Sequence, residues 1–172
     1  SSAIPGLSPE RAAALAWAEP ARGDVVVFQH PEQPGVVMVK RIAGLPGDMV
    51  ATDSAGRLAL NGTPLPFQPV EGTSDFWHQC LPQGPCPLIR ARPSGKTFAP
   101  AAEPVRVAPG HLYVLGDGRL GSSDSRGGWQ VPVGAVLGRV VAVIWSRDPA
   151  PSQGPLDWLA QFAPARTLRS VE

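Results

Sequence analysis

The chain has 172 residues, 43% of them hydrophobic, and a formal net charge of +1. That length suffices for one domain with a real core, or one domain carrying an insertion. A balanced charge with no clustered basic stretch excludes a nucleic-acid surface, and no run approaches the roughly 20 apolar residues that span a bilayer.

Twenty-one prolines and nineteen glycines interleave with apolar runs, the composition of a turn-rich β protein. Residues 25–28 and 36–42 read as β-branched strands around the turn-like His30-Pro-Glu-Gln-Pro-Gly35. Residues 49–52 and 57–60 follow, joined through Asp53-Ser-Ala-Gly56. Asn61-Gly62 then signals a type I′ hairpin with 63–66 as the return strand. Strands are also expected at 111–115 and 136–145, the latter largely buried by its apolar content. No repeat or parallel βαβ rhythm appears. The expected fold is mainly β, an antiparallel coiled, barrel-like sheet forming a core from residues 1–62 and 106–172. Residues 63–105 are rich in proline, hold both cysteines, and show no clean period, so they read as an inserted subdomain. After Arg147 a proline-rich connector leads to Leu156-Asp-Trp-Leu-Ala-Gln-Phe162, which reads as one or two amphipathic turns.

Lys40 and Lys96 are the only lysines in a chain that otherwise carries its positive charge on arginine. Lys40 sits in Val36-Val-Met-Val-Lys40-Arg41-Ile-Ala-Gly44-Leu-Pro-Gly47-Asp48, at the end of an apolar run and just before a turn. A guanidinium stays charged, whereas an amine can become a neutral base. Free lysine titrates near about 10.4, and desolvation favours its neutral form. Val36, Met38, Val39 and Ile42, with Val140 and Val143 across the sheet, are the expected apolar surroundings. A solvated strand-edge lysine is the bland alternative.

Two further blocks frame that stretch. One is Arg22-Gly-Asp24-Val-Val-Val-Phe28, the other Gly116-Asp117-Gly118-Arg119-Leu-Gly-Ser122-Ser123-Asp124-Ser125-Arg126. In order and type, the three resemble the type I signal peptidases (leader peptidases), membrane-anchored serine proteases with a Ser/Lys dyad. The resemblance covers roughly residues 2–145. It implies Lys40 as general base and Ser122 as the hydroxyl that hydrogen-bonds the lysine amine. It also implies pairs between Arg41 and Asp117 and between Asp124 and Arg126, bracing strand and loop. The nucleophile implied is Ser2, in Ser2-Ala3-Ile4-Pro5-Gly6-Leu7, where Ala3 and Gly6 replace the family's usual Met and Thr. Ser1-Ser2 as a mere polar terminus is the alternative. A serine hydroxyl needs such a base before it attacks a carbonyl. Gly118 stands where the family usually has Asn. The family's second oxyanion-hole donor would fall before residue 1.

Cys80-Leu-Pro-Gln-Gly-Pro-Cys86 is a tight loop whose Pro82, Gly84 and Pro85 favour a reversal bringing the sulfurs together. Closing it would stabilise the fold by roughly 2 kcal/mol, in an oxidising compartment. Some signal peptidases of Gram-negative bacteria carry a pair at similar spacing. Free thiols, or a metal held by His78 with both cysteines, are the other readings. His30, His78 and His111 otherwise read as surface or packed residues.

The resemblance therefore implies a peptidase that removes signal peptides from exported bacterial preproteins after small residues, with no cofactor and no metal. Its partners would be preprotein signal peptides and, through an N-terminal anchor, membrane lipid, on the extracytoplasmic (periplasmic) face of the cell membrane. This chain would then be a soluble ectodomain. A catalytically weakened relative that binds extended peptides, and a Ser/Lys peptidase of conjugative transfer, are the competing readings.

Overall fold

A computed structural model describes residues 19–92, 102–143 and 169–170. Ser2 and residues 156–162 lie outside them. The described residues form antiparallel sheets with almost no helix, as the composition implies, and the sheets do not close into a barrel.

The principal sheet contains β1 (Val25–Gln29) and β2 (Val37–Gly44). A second sheet holds β3 (Met49–Thr52), β4 (Leu58–Leu60), β5 (Thr63–Pro64) and, later in the chain, β9 (Val105–Arg106). Three short strands, β6 (Phe67–Pro69), β7 (Phe76–Gln79) and β8 (Leu88–Arg90), pair among themselves. Then come β10 (His111–Leu115), β11 (Val131–Pro132) and β12 (Val136–Val140). Last are β13 (Ala142–Val143) and β14 (Arg169–Ser170), which pair with each other. The principal sheet runs β11-β10-β2-β1-β12, and the second runs β5-β4-β3-β9.

Two turns carry the local logic. Leu45-Pro46-Gly47-Asp48 closes with Asp48 N–H donating to Leu45 C=O at 3.0 Å. Gly47 has φ +90°, the conformation a type II turn asks of the residue after proline. Asn61 (φ 51°) and Gly62 (φ 82°) are both left-handed. A type I′ hairpin requires that pair of signs, and it sets Leu60 opposite Thr63.

Strand alternation gives two cores, one on each side of β2 and β10. Val26, Phe28, Ile42, Leu112, Val114, Trp129 and Val131 cluster on one face. Ala43, Tyr113 and Leu115 point the other way, onto Val50, Leu58, Leu60 and Val107. Each fully buried side chain of this kind contributes about 2 kcal/mol. Beyond Arg41, β2 is covered on both faces, and before it the strand is half-exposed or exposed.

The expectation of a buried final strand fails for β12. It is the edge of the principal sheet and alternates between half-buried and exposed, and the adjoining Val141 is 65% exposed. An apolar run is buried on both faces only when layers cover both, and here one is open. In the stretch 63–105, short strands occur where no period was legible. Its ends, β5 and β9, pair with β4 and β3 in the second sheet.

Candidate active site

Lys40 lies where β2 emerges from its double cover. It pairs with Val26 of β1, and its side chain shares a face with Met38 and Ile42, at the margin of the Phe28–Trp129 core. Val36 and Val39, expected beside it, are exposed, and Val39 points to the other face. Val140 stands opposite Val25, which stands opposite Arg41, so it also occupies the other face. The period of two displaced Val39 and Val140 by one residue. The apolar surroundings are Val26, Met38 and Ile42.

Lys40 meets its partner through the loop after β10. That strand pairs with β2 as far as Leu115 opposite Arg41, then the chain turns at Gly116. The loop returns over the sheet, and Lys40 Nζ donates to Ser122 Oγ at 2.9 Å. Gly116 makes this approach possible: a Cβ there would sit 2.0 Å from Ser122 Oγ and 3.5 Å from Lys40 Nζ. No other residue type leaves room.

Arg41, one residue along, points into the opposite face and forks onto Asp117. Nε reaches Oδ1 at 2.9 Å and Nη2 reaches Oδ2 at 2.8 Å. Its Nη1 donates to Gly23 C=O at 2.8 Å, tying β2 to the Arg22-Gly-Asp24 turn. Asp124 accepts Gly116 N–H at 3.0 Å and the Arg126 Nε and Nη2 at 2.8 and 2.9 Å. Burial by itself raises the Asp124 pKa, but the bonds from Arg126 and Gly116 outweigh it and hold the carboxyl below its usual range. Ser125 Oγ accepts Val114 N–H at 3.0 Å, fastening the loop to β10. Asp48 follows the same pattern: burial raises its pKa, and the Arg22 fork, Leu45 N–H and Asn61 outweigh it.

Cys80 and Cys86 form a disulfide. The loop between them packs on the Arg22-Gly-Asp24 turn, where a Cβ on Gly23 would lie 2.5 Å from Pro85. Among the described residues no group of three His, Cys, Asp or Glu is placed to hold a metal ion. His30 is buried against Trp129, ring centroids 4.8 Å apart, while His78 is exposed. Arg119 and Gln79 went unassigned in the sequence. Arg119 stood inside the motif without a partner in view, and Gln79 lies forty positions away along the chain.

On the other side of β2 from β1 there is an open edge. Ile42 N–H donates to Asp24 C=O, and His30 N–H to Val36 C=O, so even-numbered β2 residues bond β1. The N–H and C=O groups of Val37 and Val39 therefore point away from β1. Pairing with β10 ends at Arg41, and among the described residues no strand covers that edge.

A lysine-bearing strand, a hydroxyl bonded to its amine and an open strand edge meet at this site. The chain matches the model of the family "Signal peptidase, peptidase S26" over residues 6–145, and it belongs to that family. It is 35% identical over 120 residues to a signal peptidase I of Pseudomonas fluorescens, covering 63% of this chain and 39% of that protein. With a signal peptidase I of Pseudomonas aeruginosa, identity is 32% over 155 residues, covering 80% of this chain and 53% of that protein. A mitochondrial ATP-independent inner membrane protease subunit 1b of Arabidopsis thaliana is 27% identical over 90% of this chain and 70% of that protein. The chain thus spans about half the length, or less, of the first two relatives.

Proposed function

We propose that this chain carries the catalytic machinery of a signal peptidase, cutting exported preproteins after small residues at Ala-x-Ala-type sites. The observation that carries the reading is the 2.9 Å bond from Lys40 Nζ to Ser122 Oγ, made possible by the bare Gly116. The preprotein segment adds as an extended strand to the open edge at Val37 and Val39, which brings its backbone past Lys40. Neutral Lys40 then takes the proton of the Ser2 hydroxyl, and Ser2 Oγ attacks the scissile carbonyl. When the tetrahedral adduct collapses, the C–N bond breaks and Lys40 returns the proton to the departing amine. Water, deprotonated by Lys40 Nζ, then attacks the acyl carbon; the bond to Ser2 Oγ breaks and that oxygen takes the proton back from Lys40. Ser122 holds Nζ so that one lone pair faces the nucleophile. Arg41–Asp117 and Asp124–Arg126 hold strand and loop together.

The same reading puts the chain at the cell membrane, on the extracytoplasmic face, where a Cys80–Cys86 disulfide persists. Among the described residues no helix is long and apolar enough to cross a membrane.

Lys40→Arg tests the base, because arginine keeps charge and bulk but cannot lose the proton. Full-length variant protein, incubated with a preprotein in detergent, is expected to yield no mature product while retaining its β-sheet circular dichroism. Processing near the wild-type rate would remove Lys40 from the mechanism. The open edge serves a pure peptide binder equally well. That second reading wins if the wild type binds signal peptides yet shows neither turnover nor an acyl adduct on Ser2 with a β-lactam inhibitor.

A further inference from the structure

Arg119 is 5% exposed, the most buried guanidinium among the described residues. No carboxylate among them forms an ion pair with it. Its bonds go to three neutral oxygens: Gly116 C=O at 3.1 Å from Nε, Gln79 Oε1 at 2.8 Å from Nη1, and Gly56 C=O, also from Nη1. Burial brings its pKa down to about 10, with the charge of Asp117 the largest opposing influence, so it stays protonated at neutral pH. Burying a cation against neutral acceptors costs stability that an apolar side chain of similar size would not. A purely structural need would be met more cheaply.

The three acceptors explain the choice. Gly116 is the residue whose bare Cα admits Ser122 to Lys40. Gly56 is also bare where it meets the arginine, since a Cβ there would lie 2.7 Å from Arg119 Cβ. Gln79, on β7, is wholly buried, and its Nε2 finds no partner among the described residues while its Oε1 accepts from Arg119. An amide kept with one nitrogen orphaned is kept for its oxygen. The main chain adds two bonds alongside: Arg90 N–H to Asp117 C=O at 2.8 Å and Arg119 N–H to Arg90 C=O at 2.9 Å. The segment at 117–119 thus lines up along β8, and a planar fork reaches from it to three diverging oxygens, which an ammonium on a flexible stem cannot match.

We infer that Arg119 is a positioning residue for the Lys40–Ser122 pair, holding the Gly116 carbonyl against the three-stranded sheet with Gln79 as its anchor. The inference rests on the Ser/Lys reading above. Arg119→Lys in the full-length protein is expected to lower kcat for preprotein cleavage about tenfold, with KM within about twofold of wild type. Gln79→Met, which removes only the acceptor, shows a smaller loss of the same kind and stands in for Arg119→Lys should that variant fail to fold. Gln79→Glu, which restores an oxygen, returns kcat to the wild-type range. In a Ser122→Ala background Arg119→Lys and Gln79→Met cause no further loss, because what they position is already gone. The same fold-loss in both backgrounds assigns Arg119 to stability alone and overturns the inference, as does a wild-type kcat in Arg119→Lys. Lys40→Arg is assayed alongside. Turnover in that variant overturns the Ser/Lys reading itself, and its absence confines any failure to Arg119.

Discussion

The principal sheet and the three-stranded sheet hold their residues in different ways. Around β2 and β10, geometry comes from backbone constraint: a Gly47 turn, a bare Gly116, and strands buried on both faces from Arg41 onward in β2 and along β10. In β6–β8, strands of three or four residues expose most side chains and depend on a disulfide and a few buried contacts such as Gln79 with Arg119. Chemistry that demands ångström placement resides in the first kind of structure, where a side chain has few alternative positions. If that contrast holds, changes near Gly116 act on turnover, and changes in the cysteine loop act on stability.

Gly116→Ala is the sharpest way to break it. The added methyl would sit 2.0 Å from Ser122 Oγ, so the hydroxyl has to leave Lys40. Displacements of about 1 Å in an active site cost on the order of a hundredfold in rate, and that loss of kcat is expected with the fold intact. A variant with wild-type kcat would show that Ser122 does not need its place.

Asp124→Asn should act on both rate and stability. It removes the charge from a carboxylate that serves Arg126 and the Gly116 N–H together. Breaking a buried pair costs several kcal/mol, and because Arg126 is 24% exposed we expect about 2 to 3 kcal/mol, with discounting for solvent. Its pH signature has a definite sign. The folded pKa values of Asp124 and Asp48 lie below the ordinary value, so the unfolded chain binds more protons at acid pH. Their contribution is fully present above the unfolded value of about 3.9 and is lost as pH falls through the folded values. Thermal melts of the wild type should therefore be flat toward neutrality and fall below about pH 4, with a shallower acid slope in Asp124→Asn. An unchanged slope would contradict the assignment to Asp124.

These effects show how unevenly the molecule could be read in advance. The strands 49–52 and 111–115 were legible as short apolar runs bounded by turn residues, and Asn61-Gly62 because only such residues take two positive φ angles. The partners Ser122, Asp117 and Asp124 were visible as a dense motif. The neighbours of Lys40 were misread at Val39 and Val140 because composition alone does not assign the face. The pairing of β6 with β7 and the Arg119–Gln79 contact left no local trace. Short strands have no period to detect, and contacts between distant segments depend on the packing of both.

Replacing Cys80 and Cys86 together by serine sharpens the contrast from the other side. The loop closed is short, so the loss should be about 2 kcal/mol, read as a lower melting temperature. Preprotein kcat should stay within about twofold at a temperature where the variant is folded. A large fall in kcat would mean that the loop packed on Gly23 helps set β2, and the two regions would no longer be separable.

The smallest effect is expected inside the principal sheet itself, from Arg139→Ala. Arg139 donates to Asp24 Oδ1 at 3.1 Å, joining β12 to the start of β1 only two strands from Lys40. It is 45% exposed, so the pair sits in water and is screened by salt. Asp24 keeps a second partner, the Ala21 N–H at 2.9 Å, and is not left bare when the arginine goes. Exposed pairs contribute about 0.2 to 1 kcal/mol, which predicts a melting shift of at most about 2 to 4 °C for a domain of this size. The shift should shrink further in high salt, and kcat should not change. A larger, salt-insensitive loss would show that the edge strand relies on this pair. Membership of the principal sheet, rather than burial and backbone constraint, would then decide which residues matter.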